Sequence, residues 1–168
     1  MARHLTYKSY LDLRRLLSVQ TKKLGTILLE ADLITDSEIR SALQTQVSTP
    51  YLKLGEILAQ QNSIKPETAD FFAREWSKII IQPEKDALGY YLKQAAILDR
   101  EQIEFTLSEQ RSTGIRFGTI AVFQGFLKST TLDFFLANLF PEELYVSPFI
   151  NMYRSPDSQI EPNGDRAF

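Results

Sequence analysis

Four stretches of this chain align with one another without a gap. Any fold it adopts must therefore repeat one geometry four times. They run from Lys23 to Gln46, Lys53 to Trp76, Ala87 to Gln110 and Arg116 to Leu139, each 24 residues long. The connection between the second and third copies is the longest, so the copies group as two tandem pairs. This gives an N-terminal segment, 1–22; a first pair, 23–76; a second pair, 87–139; and a C-terminal tail, 140–168.

The phase of the repeat predicts its local structure. The second position is Leu24, Leu54, Leu88 or Phe117, and the third is Gly25, Gly55, Gly89 or Gly118. Apolar residues at the second, fifth and sixth positions form one face of a short helix. An apolar pair follows (Leu33-Ile34, Ile97-Leu98, Phe126-Leu127, with Ser63-Ile64 weaker), and then a helix start. Thr35 to Glu38 reads as a capping box, and so does Asp99 to Gln102. Pro66 suits a first helical position and Ser129 a cap. The second helix carries its apolar residues at i, i+3 and i+4, as in Ile39, Ala42 and Leu43 or Leu132, Phe135 and Leu136. The expected fold is mostly α: tandem helix-turn-helix repeats forming two small bundles, with a short strand near Tyr145.

Composition narrows the function. The 168 residues contain no cysteine and one histidine, His4, which removes thiolate metal sites, disulfides and multi-histidine centres. A formal charge of −2 gives no overall basic field for nucleic acid. P-loop, dinucleotide-binding and nucleophile-elbow motifs are absent, so a non-catalytic protein is expected. With no long apolar run and no signal-peptide pattern at the start, the expectation is a cytoplasmic protein without a transmembrane segment.

The ends differ from the repeats. Arg3, Lys8, Arg14, Arg15, Lys22 and Lys23 face only Asp12, and Tyr10, Leu13 and Leu17 are helically spaced. This reads as a basic amphipathic helix that packs on the body or docks on a membrane surface or partner. The tail holds four of the seven prolines and is acidic. Glu142-Glu143 after Pro141 reads as a helix or turn start, and the residues beyond Arg154 as a disordered tail.

The phrase Lys23-Leu24-Gly25-Thr26-Ile27-Leu28, followed by Leu33-Ile34, Ile39, Leu43 and Gln46, resembles the MshEN domain. That domain is the N-terminal module of type IV pilus and type II secretion assembly ATPases. Its motif begins Arg-Leu-Gly, continues with an apolar pair, a glycine and another apolar pair, and ends Leu-x-x-Gln, twice in tandem. The resemblance covers residues 23–139 as two double motifs. Lysine stands at the arginine position in the first pair, Asp32, Asn62 and Ala96 at the inner glycine, and Trp76 and Leu139 at two glutamine positions; Gly125 keeps the inner glycine.

Some members of that family bind cyclic di-GMP, and the resemblance implies a site for it. In the first repeat this comprises Lys23, Leu24, Gly25, Leu28, Leu33, Leu43 and Gln46. From the second repeat come Lys53, Leu54, Gly55 and Leu58. In the second pair the matching residues are Gly89, Gln110, Arg116 and Gly118. The chemistry is coherent: glycine lets backbone approach a phosphate, arginine stacks on or hydrogen-bonds guanine, and glutamine both donates and accepts. The ATPase core is absent from the sequence, so the implied role is a regulatory or adaptor protein. Its implied partners are cyclic di-GMP and a protein, an assembly ATPase or a signalling protein. The alternative is a protein–protein module that binds no nucleotide.

Single residues allow two readings. The phased glycines serve close helix packing or ligand approach. Trp76 lies on an apolar stripe with Ala69, Phe72 and Ala73, which favours the core over base stacking. Phe71-Phe72 and Phe134-Phe135 each read as one core ring and one exposed ring.

Overall fold

The computed structural model describes residues 22–144. The basic N-terminal segment up to residue 21, the tail beyond residue 144 and the expected strand near Tyr145 lie outside the described residues. The described chain is helical throughout, with no strand among the described residues. No helix among them is long and apolar enough to cross a membrane.

Each repeat is a helix of seven residues, a tight turn and a longer helix. The first contains α1 (Leu24–Glu30) and α2 (Asp36–Ser48). The second contains α3 (Leu54–Gln60) and a long helix in three parts: α4 (Pro66–Asp70), a π-helical turn (Phe71–Glu75) and α5 (Trp76–Ile81). The third contains α6 (Leu88–Gln94) and α7 (Arg100–Thr113). The fourth contains α8 (Phe117–Phe123) and α9 (Ser129–Leu139), followed by α10 (Pro141–Leu144).

The expected caps account for two of the long helices. Thr35 accepts from the Glu38 N–H while the Glu38 carboxylate accepts from the Thr35 N–H, and Asp99 and Gln102 do the same. Pro66 opens α4. Ser129 is not the cap: it is the first helical residue, after Lys128, which makes no side-chain capping bond. The Lys128 side chain instead reaches another repeat, as described below.

The tight turn places a left-handed residue at one position of every repeat. In every repeat the residue two past the short helix has positive φ: Asp32 at 54°, Asn62 at 57°, Ala96 at 52° and Gly125 at 72°. The next N–H bonds back five residues, Leu33 to Leu28, Ser63 to Leu58, Ile97 to Leu92 and Phe126 to Ala121, all at 2.9–3.0 Å. The pattern is a Schellman closure, which requires a left-handed residue and suits glycine best. Asparagine and aspartate tolerate that conformation; alanine adopts it at a cost.

The fifth and sixth positions of the repeat fill the core. Leu28, Leu58, Leu92 and Ala121 have no exposure at all, and Ile27, Ile57, Tyr91 and Ile120 are buried beside them. The phased glycines sit where helices touch. A Cβ at Gly25 would lie 2.5 Å from Ile39 Cδ1, one at Gly118 2.6 Å from Leu132 Cδ1, and one at Gly55 3.0 Å from the Ala69 Cβ. In three repeats the short helix thus packs its glycine against the same position of the long helix. Gly89 differs, since its nearest neighbour is the Phe117 ring at 3.1 Å.

The two pairs join through their second and fourth repeats. Thr68 donates to the Ala95 carbonyl and Thr131 to the Ala31 carbonyl, each at 2.8 Å and each buried. Lys65 donates to the Ala96 carbonyl at 3.1 Å and Lys128 to that of Asp32 at 2.9 Å. These four donors occupy equivalent places in two repeats, so the pairs meet in an approximate twofold arrangement. Phe72 and Phe135, equivalent residues, meet across it with ring centroids 6.0 Å apart, and Trp76 stacks on Phe134 at 5.1 Å.

Phe71, Phe72, Phe134 and Phe135 are therefore all buried, at 4, 3, 8 and 0% exposure, rather than one ring of each doublet. Two facing surfaces meet here, and the π turn widens the helix where Phe71, Phe72 and Trp76 must point the same way. Trp76 is a core residue, as its stripe suggests, while Ala73 is exposed. The linker between the pairs is tied down. The Lys85 ammonium donates to the carbonyls of Ile79 at 2.6 Å, Ile80 at 3.1 Å and Gln82 at the end of α5, and Asp86 N–H donates to the Tyr91 hydroxyl at 2.8 Å.

Candidate functional site

Within the second pair, α6, α7, α8 and α9 surround a cleft of 540 Å³. Its walls are apolar: Leu88, Ile103, Leu107, Phe117, Leu132 and Leu136. Gly89 and Gly118 line it at the starts of the two short helices, where each packs against a neighbouring side chain, Phe117 and Leu132, and Tyr90 and Phe140 line it as well. Gln110, Arg116 and Glu143 supply polar side chains. Its size and its ratio of apolar wall to a few polar groups are those of a small-molecule pocket, which spans roughly 300–1,000 Å³.

Gly89, Gln110, Arg116 and Gly118 were singled out from the second pair, and all four line this cleft. Gln110 ends the apolar stripe of α7, and Arg116 precedes α8. Neither side chain makes a hydrogen bond or ion pair among the described residues. Tyr90, Phe117 and Phe140 also line the cleft and were missed as site residues. The first two stand beside the phased glycines, so the repeat itself was the signal for them. Phe140 and Glu143 lie beyond the last repeat, and no repeat position pointed to them. The helix expected after Pro141 is present as α10, and it puts Glu143 on the cleft.

The first pair differs. A smaller cleft of 360 Å³ runs along α3 and α4 and is lined by Leu24, Lys53, Gly55, Glu56, Asp70 and Arg74, among others. Its acidic groups are engaged, while the Lys53 ammonium makes no hydrogen bond or ion pair among the described residues. Glu56 accepts from the Lys53 N–H at 2.7 Å, and Arg74 pairs with Asp70 at 3.3 Å.

The remaining residues singled out in this pair are dispersed. Leu28 and Leu58 are fully buried and reach no surface, and Gly25 is closed in by Ile39 and Leu54. Leu33 packs half-buried on the core. Lys23 is exposed at the start of α1, and Leu43 is 47% exposed. The Gln46 amide is spent on the Leu52 carbonyl, 3.1 Å away. The structure brings together Leu24, Lys53 and Gly55 of this set, but not Gln46.

Two carboxylates at the turns have lowered pKa values. The Thr130 hydroxyl, 2.6 Å away, holds that of Asp32 below the usual carboxylate range, helped by Lys128. Hydrogen bonds from the Thr35 side chain and backbone do the same for Glu38. Both serve helix ends and repeat contacts.

No family model matches the chain, and no solved structure matches it. It is 34% identical over 142 residues to an uncharacterized protein of Picosynechococcus sp., an alignment that covers 83% of this chain and 77% of that one. The match spans most of both proteins, well beyond any single repeat, and so the chain belongs to the same family as the Picosynechococcus protein.

Proposed function

We propose that the protein is a non-catalytic regulatory or adaptor protein whose second repeat pair is a receptor site for cyclic di-GMP. One observation carries this reading. Gly89, Gln110, Arg116 and Gly118, the residues that match the MshEN motif in the second pair, line one apolar cleft. An uncommitted guanidinium suits a phosphate or a guanine edge, and the amide suits a base. The first pair, with its acidic cleft groups paired off and Gln46 engaged, serves as scaffold.

The test is calorimetric titration of the full chain with cyclic di-GMP. Binding at micromolar or better affinity is expected, weakened at least tenfold by Arg116→Ala or Gln110→Ala. Absence of both heat and thermal shift at millimolar ligand would end the receptor reading.

A specific observation favours a second reading, a protein–protein module. Leu43, Val47 and Tyr51 near the end of α2 are 47, 83 and 79% exposed. Exposed apolar side chains gathered at one end of a helix are a mark of partner surfaces. Pull-down of an assembly ATPase or signalling protein, abolished by Val47→Asp with Tyr51→Ser, would support that reading.

A further inference from the structure

We infer that Glu143 sets the base specificity of the α6–α9 cleft and selects guanine over adenine. The inference rests on the receptor reading above and names the group that this reading lacks.

Glu143 and Arg116 line the same cleft with opposite charges, yet they form no ion pair with each other. Among the described residues Glu143 makes no side-chain hydrogen bond. The carboxylates of the smaller cleft are, by contrast, committed: Glu56 to the Lys53 N–H and Asp70 to Arg74. A free carboxylate would repel a phosphate-bearing ligand unless that ligand brought it N–H donors. A cleft with one cation, one carboxylate and one amide on apolar walls therefore fits a molecule carrying both an anionic group and a donor-rich base. At 540 Å³ the cleft has room for more than a single small zwitterion.

Guanine offers the matching edge. Its N1–H and N2–H₂ are adjacent donors, and a carboxylate presents two acceptor oxygens. Adenine offers one donor beside the N1 acceptor, whose lone pair would face a carboxylate oxygen. The Tyr90, Phe117 and Phe140 rings supply faces for stacking a base. The position of Glu143 is held by α10: its own N–H donates to the Phe140 carbonyl at 2.9 Å, and Phe140 packs on Tyr91 at 6.4 Å between ring centroids.

The experiment titrates cyclic di-GMP and cyclic di-AMP into the full chain, into Glu143→Gln and into Glu143→Ala. Glu143 is exposed, so all three should melt at the same temperature. The wild type is expected to prefer cyclic di-GMP by at least about tenfold, the scale of one charge-assisted hydrogen bond. Both variants should lose that preference, weakening cyclic di-GMP while cyclic di-AMP, freed of the repelling carboxylate, binds as before or more tightly.

A wild type that binds both ligands equally, or a preference that survives in both variants, overturns the specificity role and leaves the receptor reading standing. Tighter binding of both ligands by Glu143→Gln overturns it as well, because Glu143 would then be only a repelling charge at the mouth. No binding of either ligand by any of the three proteins overturns the inference and the receptor reading together.

Discussion

The hydroxyl of Thr131 donates to the carbonyl oxygen of Ala31, 2.8 Å away, across 100 residues of chain. The bond joins the fourth repeat to the first, and Thr68 makes the equivalent bond from the second repeat to Ala95 in the third. Both hydroxyls are buried, so replacing either threonine by the isosteric valine leaves a carbonyl short of a donor with little change in shape. Each substitution should cost about 1–2 kcal/mol in urea denaturation, and the double variant close to the sum, because the bonds lie in different places. An unchanged denaturation midpoint in both single variants would mean that these two bonds contribute nothing to holding the pairs together.

Ala96 carries a positive φ of 52° in the turn of the third repeat, where Gly125 serves in the fourth. A left-handed alanine pays a steric cost that glycine avoids, and glycine costs more entropy in the unfolded chain. The first term is the larger, so Ala96→Gly should stabilise the protein by about 0.5–1 kcal/mol. The same change at Asp32 should not, since it would also delete the hydrogen bond from Thr130 and the ion pair with Lys128.

Gly55 separates two readings of the phased glycines. A Cβ there would meet the Ala69 Cβ at 3.0 Å, well inside the roughly 3.5–4.0 Å of ordinary carbon contacts. Ala69 has no rotamer by which to yield. Gly55→Ala should therefore destabilise by about 1 kcal/mol net, even though alanine is favoured over glycine in a helix by about that much. A stabilised variant would show that α3 and α4 can separate freely and that the glycine serves something other than packing.

The Asp32 carboxylate gives the inter-repeat contact a pH dependence. Its pKa is lowered in the folded state, first by the Thr130 hydroxyl and then by Lys128. The contribution is therefore complete above the unfolded value, about 3.9. It is lost as pH falls through the lowered folded value. Asp32→Asn should leave the protein less stable than wild type at pH 7, with the gap closing below about pH 4. Denaturation midpoints of both proteins from pH 7 to pH 3 check this, and a gap that widens on acidification would contradict it.

Much of the local architecture was legible because it depends on neighbours in sequence. The phase of Leu24, Gly25 and Ile27 and their three sets of equivalents predicts the short helices. Thr35 with Glu38, and Asp99 with Gln102, announce the starts of α2 and α7. The site was legible only in part. Gln110 and Arg116 were found from their places in the repeat, but equal places in the first pair gave Gln46 and Lys53, which share no cleft. Nothing in the repeat pointed to Glu143, which follows it.

The sequence by itself determined a four-fold helix-turn-helix, where the capped helices α2 and α7 begin, and which side of each short helix is apolar. These follow from periodicity and capping, which act over three or four residues. Only the tertiary structure decided that the second and fourth repeats face each other, so that Phe72 meets Phe135 and five side chains, Lys65, Thr68, Lys128, Thr130 and Thr131, donate hydrogen bonds from one pair to the other. It alone decided that alanine, asparagine and aspartate hold the left-handed turn in three copies, a strain the surrounding hydrogen bonds and packing sustain. And it alone decided that, of two sequence-equivalent pairs, the second gathers its repeat glutamine and repeat cation on one cleft while the first does not. That outcome depends on where Glu56, Arg74 and Gln46 find partners, a matter of distances in space that spacing along the chain does not contain.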